Sequence, residues 1–307
     1  MKSYPNGVWP VMLTPFTEKG EIDEEGLYAL VEWYIEKGVD GLFASCQSSE
    51  IFHMTFEERM RIAKITVDAA RGRVPVIGSG FTDYCMAEQV RNIYAMKETG
   101  VDAVILLTNR LACEGQDDDA LLSHASALLG QIDDNIPLGL YECPFPYKRL
   151  LSPRVIRELA DTGRFYFLKD TCLNAAQIRE KLAVTRGTRL KLYNAHIATL
   201  LESLRDGAYG FSGIMANFHP EMYVWLTRNI RHPNADKVQR LLTAASLLER
   251  QLYPTNAKYF LKEIAGLPIT TRCRVQDDRL LSPNFREEIR QVAALMDAIY
   301  VQERTEE

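Results

Sequence analysis

Short runs rich in Val, Ile, Leu and Phe alternate with longer segments whose apolar residues recur every three to four positions. This alternation repeats about eight times between residues 8 and 217 and constrains the fold more than any other feature. The apolar runs fall at 8–13, 41–44, 75–78, 103–107, 137–141, 165–169, 190–193 and 207–212. Amphipathic segments lie between them at 23–37, 56–70, 86–99, 117–129, 153–161 and 175–185. Runs this short with β-branched residues read as strands, and the 3.6-residue period reads as helix. Strands that are apolar on both faces belong to a parallel sheet covered by helices. Eight βα units in about 215 residues is the size of an α/β protein of the TIM (β/α)8 barrel type. A doubly wound open sheet is the competing architecture.

Local signals agree with these boundaries. Thr55 with Glu58 makes a capping box, Ser152 before Pro153 gives a cap and a first-turn proline, and Gly38 and Gly100 stand where helices stop. After Asn217 only helical patterns remain, at 220–229, 237–251, 257–264 and 284–301, with a polar, proline-containing loop at 266–283. The reading is therefore a catalytic barrel over 1–217 followed by a C-terminal helical domain over 218–307.

Composition excludes several function classes. Lys and Arg number 36 against 41 Asp and Glu, a net charge of −5, which argues against binding of nucleic acid through clustered cations. No window approaches the roughly 18 apolar residues that span a membrane, and Pro5 and Pro10 interrupt any apolar signal core. The six cysteines form no CxxC pair, so a cytoplasmic protein with reduced thiols is expected. None of the five histidines has metal-ligand spacing, so no metal is expected.

In a barrel of this kind chemistry sits at the C-terminal ends of the strands. The sixth run ends in Leu168-Lys169-Asp170, which places a lysine at the end of an almost wholly apolar strand. Such an amine is either a snorkelling strand-end lysine or a desolvated nucleophile poised to attack a carbonyl. The fifth run ends in Tyr141, close enough in strand order to exchange protons with that centre. The second ends in Ala44-Ser45-Cys46-Gln47-Ser48-Ser49-Glu50, a turn of hydroxyls and amides suited to a carboxylate. Cys46 has no partner histidine pattern to make it a nucleophile. Gly78-Ser79-Gly80 lacks the third glycine of a dinucleotide loop and reads as a barrel turn. Arg110, His53 and His196 are further candidates for the mouth of the barrel.

These motifs together resemble the dihydrodipicolinate synthase / N-acetylneuraminate lyase family of class I, Schiff-base-forming aldolases. Thr14-Pro15-Phe16 is similar to its TPF turn, 46–50 to its GTTGE carboxylate motif, Tyr141-Glu142-Cys143-Pro144 to its YNxP motif, and Lys169-Asp170-Thr171 to its imine-forming lysine motif. Gly210-Phe211-Ser212-Gly213 is similar to the eighth strand. The resemblance implies that Lys169 forms an imine with pyruvate or another 2-oxo acid and that Tyr141 shuttles protons. It further implies that Gln47, Ser48 and Ser49 hold the carboxylate, with Thr108 and Ser212 completing the substrate site. It implies no cofactor beyond the covalent imine on Lys169, and a homo-oligomer, tetramer or dimer.

The departures from the family pattern bear on the substrate. Pro146 stands where the synthases carry an arginine for the aldehyde's carboxylate, and Thr108 takes the place of a relay tyrosine. Cys46-Gln47 replaces a Gly-Thr pair, and Glu142 stands where Asn is common. The expected function is a lyase acting on pyruvate or a 2-oxo-3-deoxy sugar acid, by aldol cleavage, condensation or dehydration. The alternatives are dihydrodipicolinate synthase proper (4-hydroxy-tetrahydrodipicolinate synthase) and a catalytically weak 2-oxo acid sensor.

Overall fold

The computed structural model describes residues 4–305, and side chains as far as residue 300. Eight strands, β1 (Gly7–Val8), β2 (Leu42–Ser45), β3 (Val76–Ser79), β4 (Ala103–Leu107), β5 (Leu138–Tyr141), β6 (Phe165–Asp170), β7 (Lys191–Asn194) and β8 (Gly210–Phe211), pair in parallel in consecutive order, and β8 returns to β1. A parallel bridge between Val11 and Phe43 closes the remaining seam, so the sheet is a barrel. β1 is shorter than the apolar run around it because Pro10 has no N–H to give to the ladder. β8 lies so close to β1 that a Cβ on Gly210 would come within 1.9 Å of the Gly7 carbonyl oxygen.

The helices α1 (Glu24–Glu36), α2 (Phe56–Ala70), α3 (Met86–Glu98), α4 (Asp118–Leu129), α5 (Pro153–Asp161) and α6 (Ala175–Thr185) fall where the 3.6-residue period puts them. The Thr55–Glu58 capping box is formed, with Glu58 N–H to Thr55 Oγ1 at 3.2 Å and Thr55 N–H to Glu58 Oε2 at 3.0 Å. The sequence pattern missed α7 (Leu200–Arg205), since six residues are too few to display a period. After Asn217 come α8 (Pro220–Arg228), α9 (Ala235–Ala245), α10 (Thr255–Glu263) and α11 (Pro283–Thr305). α8 packs on β1 and β8, which is the position of the eighth outer helix. Among the described residues no helix is long and apolar enough to cross a membrane.

The pleat sorts each strand's residues between two cores. Trp9, Phe43, Ile77, Ile105, Leu107, Tyr141, Phe167 and Tyr193 point inward as one buried cluster, with Phe167 stacked on Tyr193 at a centroid distance of 4.3 Å. Leu106, Leu140, Leu168 and Leu192 point outward against the helices. This double burial is why the strand sequences are apolar throughout. Inside the barrel the pairing register lines up Leu107, Tyr141, Lys169 and Tyr193 across β4, β5, β6 and β7, so one polar amine enters an otherwise apolar row.

Candidate active site

Lys169 is 3% exposed, and its Nζ lies 4.3 Å from the centroid of the Tyr141 ring and 5.9 Å from that of Phe43. Removal from water disfavours the ammonium and lowers its pKa to about 8, with the sulfurs of Cys46 and Cys143 opposing the shift. The same burial pushes the Tyr141 hydroxyl well above the ordinary phenol range, so it is neutral at physiological pH. Burial raises the Cys143 thiol to about 11. Protonated, that thiol donates to Gln47 Oε1 at 3.5 Å, linking the end of β5 to the loop after β2.

Strand alternation places the neighbours of these two residues on the opposite side. Glu142 and Asp170 point outward and meet Lys181 of α6 at 2.6 and 2.5 Å, with all three side chains no more than 3% exposed. Glu142 also accepts from the Leu151 and Thr171 amides at 2.8 and 3.0 Å. Glu142 therefore braces the strand ends from behind instead of facing the cavity.

A cavity of about 350 Å³ opens over the row, walled by Gln47, Ser48, Tyr141, Lys169, His196 and Tyr253 among others. Of the residues singled out from sequence, it brings together Lys169, Tyr141, Gln47, Ser48, His53 and His196. Ser49, Thr108 and Ser212 are not on its wall. The Ser49 hydroxyl is buried and bonded to the carbonyls of Met12 (2.7 Å) and Ala44 (2.9 Å), so it braces the turn. Thr108 is likewise committed, to the carbonyls of Arg149 (2.7 Å) and Tyr141 (3.3 Å). Ser212 is buried with its hydroxyl unpaired, and the adjacent Gly213 reaches the wall in its place. Arg110 is buried between the rings of Tyr84 (4.4 Å) and Phe52 (5.5 Å), behind the mouth.

Sequence reading missed Tyr253. It lies between the short helical turn 246–250 and α10, far from any strand end, shares the cavity wall with Ser48, and its hydroxyl accepts from Asn217 Nδ2 at 3.1 Å. No periodic or motif signal marks it, because only the folding of the C-terminal helices over the barrel brings it there. Glu50 explains how that cover is held. With a left-handed backbone (φ 64°), it pairs with Lys258 of α10 at 2.8 Å and accepts from the amides of Arg274 (2.6 Å) and Val275 (2.9 Å). One His and carboxylate group, His219, Glu221 and Asp297, has ligand atoms within 4.8 Å of one another, but it lies off this cavity. Lys37 already faces it, 3.5 Å from Glu221.

A (β/α)8 barrel with a desolvated lysine amine at its C-terminal face is the frame of a Schiff-base-forming lyase or synthase. A sequence model of the dihydrodipicolinate synthetase family matches residues 4–277, and the chain belongs to that family. It is an enzyme of the family's Schiff-base-forming type. A 4-hydroxy-tetrahydrodipicolinate synthase of Clostridium perfringens is 30% identical over 213 residues, covering 68% of this chain and 70% of that one. A dihydrodipicolinate synthase structure from Bacillus anthracis superposes with a TM-score of 0.85 at 20% identity, covering 96% of this chain and 99% of that one. A prophage protein of the dihydrodipicolinic acid synthase family from E. coli K12, solved in complex with pyruvate, gives 0.84 at 21% identity, with 95% and 98% covered. At these identities the two structures speak to the fold.

Proposed function

We propose that the protein makes or breaks a bond at C3 of a 2-oxo acid through an imine on Lys169. The observation that carries this reading is the Lys169 amine, buried at a cavity wall with a pKa near 8. A fall from 10.5 to about 8 raises the neutral, nucleophilic fraction at pH 7 from about 3 in 10⁴ to about one in ten. The neutral amine adds to the C2 carbonyl, water leaves, and the protonated imine draws electrons from C3 so that a bond there can form or break as an enamine. No further cofactor is needed for this electron sink.

Tyr141, neutral and one strand away, is placed to carry the protons of carbinolamine formation and of the hydroxyl that arrives or departs. Ser48 and the Gln47 carboxamide on the same wall are the donors available for the 2-oxo acid carboxylate, fixing the carbonyl for attack. The substrate class is pyruvate or a longer 2-oxo acid derived from it. Pro146, where the family pattern has arginine, weighs against dihydrodipicolinate synthesis itself. Six unpaired thiols fit a reducing cytoplasm, and a homo-oligomer is the assembly that the family resemblance implies.

Borohydride reduction with pyruvate, followed by peptide mass spectrometry, tests the reading. A reduced adduct at Lys169 is expected. Absence of any adduct across a panel of 2-oxo acids overturns the imine, and an adduct without turnover on any partner identifies a 2-oxo acid sensor.

A further inference from the structure

Among the described residues eight large apolar side chains are exposed, Tyr28, Tyr84, Phe145, Leu173, Leu247, Val275, Leu280 and Leu295, and such residues are informative only where they gather. Three of these, Phe145 (48%), Leu173 (50%) and Val275 (44%), stand on the wall of the one cavity that holds Lys169. They come from three separate places, the loops after β5 and β6 and the segment that Glu50 ties down, so their convergence is not an accident of one apolar stretch. Phe52 packs against Phe145 with centroids 4.8 Å apart and planes at 57°, and Pro144 and Pro254 continue the surface. Leu173 is held in the left-handed region at φ 61°, where a branched side chain is strained.

Some of the polar groups on this wall are committed elsewhere. Thr171 Oγ1 donates to the Glu142 carbonyl at 2.7 Å, Lys148 Nζ donates to the Thr171 carbonyl at 3.0 Å, and both Glu50 oxygens are taken by Lys258, Arg274 and Val275. His53, His196 and Glu249 remain, with the two further N–H bonds of the Lys148 ammonium and, deeper in, Gln47 and Ser48. A polyhydroxylated chain would set those of its hydroxyls that fall on Phe52, Phe145, Leu173 and Val275 against phenyl and aliphatic faces without partners, which is unfavourable. A flat ring meets the same surface with apolar contact and edge-to-face geometry.

We propose that the outer half of the Lys169 cavity accepts an aromatic ring, so that the partner of the pyruvate-derived enamine is an aryl aldehyde. This deepens the Schiff-base reading and rests on it. In the condensing direction C3 of the enamine attacks the aldehyde carbon, the C–C bond forms, and the carbonyl oxygen takes a proton from Tyr141. Water then hydrolyses the imine, freeing Lys169 and a 4-aryl-4-hydroxy-2-oxo acid. Loss of the C4 hydroxyl with a C3 proton as water gives the arylidene 2-oxo acid. Cleavage is the reverse.

The experiment measures condensation of pyruvate with benzaldehyde and with D-glyceraldehyde, in the wild type and in Phe145→Ala and Leu173→Gly, with borohydride trapping on pyruvate alone in each protein. A kcat/KM at least tenfold higher for benzaldehyde is expected, and both variants should lower the benzaldehyde-to-glyceraldehyde ratio about tenfold. An imine at Lys169 with equal or greater use of glyceraldehyde, with use of neither aldehyde, or with a ratio that neither variant moves, overturns the aryl assignment alone. Absence of the imine overturns the Schiff-base reading together with it.

Discussion

Replacing Lys169 by Met should stabilise the protein while abolishing imine formation. The two side chains have similar volume, so the exchange leaves the packing of the inner row nearly unchanged. The ammonium is the costly state: its pKa falls from 10.5 in the unfolded chain to about 8 in the buried site. At 1.36 kcal/mol per tenfold difference, holding it at pH 7 costs about 3 kcal/mol, a cost that Met does not carry. The unfolded chain binds the extra proton between pH 8 and 10.5, so wild-type stability rises with pH across that window. The cost is fully present below 8 and gone above 10.5. For a chain of 307 residues, 3 kcal/mol corresponds to a rise in Tm of about 5 °C at pH 7. By pH 9.5 the advantage of Lys169→Met should shrink to about 1.4 kcal/mol. Matched urea and thermal unfolding of both proteins at pH 7 and 9.5 measures this. A variant that is no more stable than wild type at pH 7, or whose advantage is independent of pH, refutes the claim that Lys169 is desolvated.

The same amine makes kcat/KM for a 2-oxo acid rise with pH and level off above about 8, which a pH–rate profile of the free enzyme checks; a flat profile from pH 6 to 9 contradicts it. Tyr141→Phe should lower turnover about 10²-fold or more and slow borohydride trapping at Lys169 without abolishing it, and unchanged rates remove Tyr141 from the proton path. Lys181→Met leaves Glu142 and Asp170 buried without their cation and should cost about 3–5 kcal/mol, read by chemical denaturation. An unaltered midpoint would mean that the carboxylates find other partners.

The strand and helix positions were legible because each is set by the spacing of apolar residues along a few consecutive turns. Helices 56–70, 153–161 and 175–185 carry enough residues to show a period, whereas six-residue α7 does not. Lys169 and Tyr141 were legible for a related reason, since a charged or hydroxylated side chain at the end of an apolar run is an exception to a local pattern. The cavity wall was less so. Ser48 and Ser49 look interchangeable in sequence, yet the turn after β2 points Ser48 at the cavity and ties Ser49 into its own backbone.

Order along the chain, read with the pleat and the 3.6-residue turn, was sufficient to determine an eightfold barrel and a lysine at the top of its sixth strand, because both follow from interactions between near neighbours. Tyr253, the Glu50–Lys258 tie and the meeting of Phe145, Leu173 and Val275 over that lysine join residues up to 208 positions apart. Their partners are chosen by how α10 and the segment after it settle on the barrel, and that depends on the summed packing of surfaces with no periodic trace in the sequence. Tertiary structure alone decided what the lysine faces.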